Sequence, residues 1–167
     1  MPADIPRLLP DEPLPRYTFV PGRSPHPVSD PAGHSSGQAH VPPAPLDPAR
    51  CADNRDYLRG VDLFNHGYYW EAHEAWEGLW RAAERRGTTA RFLKALIKLA
   101  AAGVKHLEGK PAGVASHARR AAELCREVNG QPVFLGLRIA SLIALAESIA
   151  RDGWPDVSPT LWPSETD

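Results

Sequence analysis

Cysteine is scarce in this chain. Cys51 and Cys125 are the only two in 167 residues, which is too few for a disulfide framework and leaves no Cys-x-x-Cys motif. That scarcity points to a reducing compartment. No apolar run reaches the roughly 18 residues that a membrane-spanning helix needs, and the longest, Ala95 to Val104, is interrupted by Lys98. The first 16 residues are scattered prolines and charges without the apolar stretch of a secretory signal, so the expectation is a cytoplasmic protein. Net charge is nearly absent, −1 at pH 7, which argues against wholesale binding to nucleic acid or to an anionic membrane. A Gly-rich phosphate loop, a Gly-x-Ser-x-Gly elbow and a Cys–His pair with a supporting acid are also missing. What is present is an ordinary globular composition, 43% hydrophobic and 23% charged, with enough length to bury a core without metal or disulfides.

Proline divides the chain. Of 18 prolines, 13 lie between Pro2 and Pro48, and a residue without an N–H cannot populate helix or sheet interiors at that density. Residues 1–46 are therefore expected to be an irregular arm, residues 47–152 a helical domain and residues 153–167 an irregular tail carrying Trp154 and Trp162. Asp47-Pro48 reads as an N-cap followed by proline at the first helical position, and Gly67 as the glycine that ends the first helix. A second helix is expected over Tyr69–Arg85, with Tyr69, Ala72, Trp76, Leu79, Trp80 and Ala83 on one stripe. A third, Thr89–Leu107, starts on a threonine cap; a fourth runs from Pro111 to Val128 and a fifth from Leu135 to Arg151. The short connections force neighbouring helices antiparallel, so the expected fold is all-α, an antiparallel bundle of about five helices. A faint echo, Val61/Phe64/Gly67 against Gly103/His106/Gly109, reads as shared hairpin geometry, since two copies are too few for a solenoid.

Two blocks carry a family resemblance. One runs Phe64-Asn65-His66-Gly67 and then His73-Glu74-Ala75-Trp76-Glu77-Gly78-Leu79-Trp80; the other runs Leu96-Ile97-Lys98-Leu99-Ala100-Ala101-Ala102, followed by a glycine turn and a helix with Gly113 and Arg120-Ala121. Over about residues 48 to 150 the chain resembles the domain-of-unknown-function family 309, with its Phe-Asn-x-Gly turn and His-Glu-x-Trp-Glu-x-x-Trp helix. The resemblance implies a small α-helical domain with no established activity. It departs from the family pattern at Lys94 and Lys98, where Gln is common in the third helix.

Candidate chemistry falls into three groups. His73 and Glu77 stand four apart, so they are neighbours on one helix face and could share a metal or a proton. Measured from Trp76, a 3.6-residue period puts His73 roughly 60°, Glu77 roughly 100° and Glu74 roughly 160° away, the first two at the rim of the core and the third toward solvent. This is not a zincin motif, because the second histidine is missing. A structural His–Glu hydrogen bond beneath Trp70, Trp76 and Trp80 is the plainer alternative. His117 and His106 lie in or beside apolar stripes and could converge with His73, or could be satisfied core histidines. In the arm, His26, Asp30 and His34 form an evenly spaced trio of metal-ligand types, set against a strap that docks by Tyr17, Phe19 and Val20. Finally, Arg85 to Arg120 holds nine Lys/Arg against Glu108 alone, so Lys94, Lys98 and Lys105 are candidates for an anion-binding face, or for charge pairing between the second and third helices.

Three function classes follow. The leading one is an interaction or scaffold module, in which the tryptophan helix (Trp70, Trp76 and Trp80) with His106 would form the pocket or interface for a protein partner or a second copy of the chain. The alternative is a metal-dependent hydrolase, with a divalent ion such as Zn held by His73, Glu77, His117 and the arm trio, and Glu77 or Glu74 as base. The third is an anion- or RNA-binding module, disfavoured for nucleic acid by the lack of interleaved surface aromatics.

Overall fold

A computed structural model describes residues 4–128 and 130–164, so the ends of the expected arm and tail, 1–3 and 165–167, lie outside the described residues. Five α-helices carry the fold: α1 (Arg55–Asn65), α2 (Tyr69–Ala82), α3 (Gly87–Leu107), α4 (Pro111–Arg126) and α5 (Ile139–Asp152). Packing follows chain order, α1 on α2, α2 on α3, α3 on α4 and α4 on α5. No helix among the described residues is long and apolar enough to cross a membrane.

Local chemistry explains most boundaries and corrects several expected ones. Asp47-Pro48 opens a short 3-10 turn, Pro48–Asp53, rather than the first helix. The α-helix begins one turn later, where Asn54 caps the Tyr57 N–H. Gly67, at φ 85°, takes the left-handed conformation that ends α1, and Tyr68 N–H returns to the Leu63 carbonyl. The second helix stops at Ala82, short of Arg85, because Glu84 and Arg85 both turn to positive φ. The third begins at Gly87 without a side-chain cap, so Thr89 is not its N-cap. The fourth ends at Arg126. Ahead of α5 the chain makes a hairpin instead of helix: β1 (Val133–Phe134) pairs antiparallel with β2 (Leu137–Arg138). Leu135 and Gly136 both have positive φ in its two-residue turn, and Tyr57 Oη donates to the Leu135 carbonyl at 2.7 Å.

The core centres on Trp76, which is fully buried among Phe64, Leu79, Leu93 and Leu96. Its indole Nε1 donates to the Tyr57 carbonyl at 3.3 Å. Gly60 permits this approach of α1 to α2, since a Cβ there would collide with the Trp76 ring. The tail straps back over this end: Trp154 packs edge-on against Tyr69 and Phe64, and the Asn65 side chain bonds both the N–H and the carbonyl of Leu161. Trp162, in contrast, is exposed. Both cysteines are free and buried.

The arm is irregular yet tightly docked on α1 and α2, with Leu9, Phe19, Pro27 and Leu46 buried. Two carboxylates of the helices receive its backbone. Asp62 of α1 accepts Leu8 N–H at 2.7 Å and Leu9 N–H at 2.8 Å, and Glu71 of α2 accepts Phe19 N–H at 3.0 Å. At the margin, Arg55 pairs with Asp11 and Glu12, and Arg59 donates to the Pro13 carbonyl. Tyr17 Oη closes the loop between, donating to the Pro25 carbonyl and accepting His34 N–H.

Candidate functional site

Helix α2 carries the densest chemistry. His73 Nδ1 lies 3.3 Å from Glu74 Oε1 and 3.4 Å from Glu77 Oε2. One donor atom from each of the three side chains falls within 4.8 Å of the other two. All three sit where the helical period places them, His73 and Glu77 half-buried at the rim and Glu74 exposed. The His73 Nδ1 atom is itself shut off from solvent, and neither carboxylate meets it in hydrogen-bonding geometry. The other oxygen of Glu77 takes Arg81 Nη2 at 2.9 Å, which leaves Oε2 directed at His73. One imidazole and two carboxylates is a donor set suited to a borderline divalent ion such as Zn, with positions left open.

On α4, His117 is half-buried. Burial pushes its pKa down first, and the charges of Lys98, Lys105 and His73 push it further. His106 turns the other way and stacks on Trp154 at 5.6 Å, so it belongs to the tail contact. The three lysines differ in what they pair with. Lys94 Nζ sits 4.2 Å over the Trp80 ring, with Arg85 also over it, and Lys105 pairs with Glu108 at 2.8 Å. Lys98 has no anionic partner among the described residues, and burial, Lys94 and Arg120 lower its pKa in that order.

The arm trio separates. His26 Nδ1 accepts the Val28 and Ser29 N–H groups at 3.2 Å, while its ring stands edge-on to Phe19 and Trp70. Asp30 caps its own turn through Ala32 N–H at 2.8 Å. Only His34 turns inward. Its ring lies against Tyr17, its Nδ1 is 2.8 Å from Ser35 Oγ, and its Nε2 is 3.9 Å from Glu71 Oε2. Among the described residues the three do not cluster as ligands, whereas His73, Glu74 and Glu77 do.

Glu71 is the residue that sequence reasoning missed. Five residues before Trp76, it sits roughly 140° from the buried stripe, where a wheel assigns solvent. The arm covers that face, and Glu71 is buried. Desolvation raises its pKa to about 7, partly opposed by the Phe19 N–H and helped by the negative Glu74. Beside it, between the arm and α1–α2, lies an open cleft of about 480 Å³ lined by His34, Trp70, Glu71 and Glu74 among others. The arm meets the second helix at Glu71, with Trp70 in the wall.

Residues 57–117 match the model of the family described as Domain of unknown function (DUF309). The match runs from α1 into α4 and takes in His73, Glu74, Glu77, Lys98 and His117, whereas the arm and tail fall outside it. No curated protein matches the chain.

Proposed function

We propose that the DUF309 domain formed by residues 57–117 binds a divalent cation through His73, Glu74 and Glu77, in support of hydrolytic chemistry in a reducing, cytoplasmic setting. The reading rests on the His73 Nδ1 atom, which is buried and without a hydrogen bond, yet 3.3 and 3.4 Å from two carboxylates. A donor atom so placed gains most from an ion shared among the three side chains. Such an ion lowers the pKa of its bound water and so supplies a nucleophile near neutral pH. His117 on α4, whose pKa burial and the charges of Lys98, Lys105 and His73 lower, is the group assigned to move a proton, and Lys98 the one assigned to attract an anionic substrate. An interaction module has less to work with, because Trp76 is buried, Trp70 packs on Phe19 and His26, and Trp80 carries Lys94 and Arg85.

Zinc titration of untagged, chelator-stripped full-length protein tests the reading. One ion per chain is expected, lost in His73→Ala and retained in His26→Ala and His106→Ala. Stoichiometric zinc that survives His73→Ala would overturn it.

A further inference from the structure

The cleft at the seam of arm and helices borders the His73 cluster, since its lining takes in Glu74 but not His73 or Glu77. Its walls come from both parts of the chain, Pro27, His34 and Pro43 from the arm and Asp56, Trp70 and Glu71 from α1 and α2. From these walls we infer that the cleft is a binding site for a small organic cation, an ammonium group carried on an apolar body.

Two side chains make this a built site. His34 and Glu71 are each only 6% exposed, and both line the cleft. His34 Nε2 has no hydrogen-bond partner, and at 3.9 Å it is beyond hydrogen-bonding distance of Glu71 Oε2. A buried imidazole nitrogen left unpaired is costly, and in the tautomer whose Nδ1 donates to Ser35 Oγ, Nε2 can accept a ligand N–H beside the Glu71 carboxylate.

Charge selects the ligand. Both arginines in the lining are already engaged, Arg59 with Glu12 and the Pro13 carbonyl, and Arg81 with Glu77. Asp56 has no ion-pair or hydrogen-bond partner among the described residues, and Glu74 has only His73. The charged groups left to face a ligand are therefore the exposed carboxylates Asp56 and Glu74, with Glu71 offering hydrogen-bonding oxygens, a set that favours a cation and repels an anion. The rest of the wall mixes the neutral polar groups of Ser35, Gln38 and His40 with an apolar part, in which Trp70 and the prolines can hold a hydrocarbon body and the indole can receive positive charge.

The test uses full-length protein in EDTA, titrated calorimetrically with benzylammonium, its neutral isostere benzyl alcohol, and benzoate. Benzylammonium is expected to bind one to one, about tenfold or more tighter than benzyl alcohol, with no heat from benzoate. Asp56→Asn and Glu71→Gln are each expected to weaken it about tenfold. Glutamine keeps an oxygen for the Phe19 N–H, and if that variant fails to fold, Asp56→Asn decides alone. The amine titration is run without metal, and its deciding variant, Asp56→Asn, lies outside the His73–Glu74–Glu77 cluster, so either site can fail without the other. Absence of benzylammonium binding, equal affinity for the alcohol, or unchanged affinity in Asp56→Asn would each overturn the inference.

Discussion

Arg7 Nε stands 3.2 Å from Asp62 Oδ2, so a residue near the start of the arm is paired with a fully buried carboxylate in the middle of α1. The same carboxylate accepts the Leu8 and Leu9 N–H groups, which makes Asp62 the principal anchor of the arm's first stretch. Removing it leaves a cation and two amides facing an apolar gap. Asp62→Ala is expected to lower stability by about 3–5 kcal/mol, the usual range for breaking a buried pair. Denaturant midpoints check the magnitude, and faster proteolysis within residues 7–20 than in the helices checks that the arm is what loosens.

The α1–α2 contact depends on an indole against a glycine. Trp76→Ala is expected to cost about 3–5 kcal/mol as a large buried aromatic is lost. Gly60→Ala, which adds a methyl where the Trp76 ring already lies, is expected to cost about 1–3 kcal/mol through overpacking. Unchanged midpoints in both variants would contradict this packing.

Glu71 sets a pH dependence with a definite sign. Burial raises its pKa to about 7 in the folded chain, above the ordinary value of 4.5. The folded state therefore holds the proton more tightly than the unfolded state, and stability falls as pH rises from about 4.5 to about 7, then levels off. The full swing is roughly 3 kcal/mol at about 1.36 kcal/mol per pH unit. Metal-free wild type and Glu71→Gln, compared across that window, should differ by this slope. Parallel curves would show that Glu71 titrates normally.

Cys125 is buried on α4, and burial pushes its thiol up to about 11. Since the thiolate is the reactive form, native protein at pH 8 is expected to label at Cys125 far more slowly than unfolded protein. Alkylation followed by mass spectrometry in the two states reads the difference, and equal rates would place the thiol at the surface.

The reach of the sequence can be judged residue by residue. The helices, the stop at Gly67, the burial of Trp76 and the rim positions of His73 and Glu77 were all legible, because periodicity, proline and glycine act within a few residues of themselves. The hairpin at 133–138 was not, because a run such as Val133-Phe134-Leu135 is apolar enough for either strand or helix and only Leu135 and Gly136 at positive φ distinguish them. The seam was decided by tertiary structure alone. His26, Asp30 and His34 look equivalent in the sequence, yet the first two cap local turns and only His34 reaches Glu71. Glu71 lies on the outer face of α2 by any helical count, and it is buried because an arm with no period of its own lies across it. An irregular segment carries no repeat from which its path can be read, so what it covers, and which carboxylates it desolvates, is fixed only when long-range contacts such as Arg7–Asp62 and Phe19–Glu71 close.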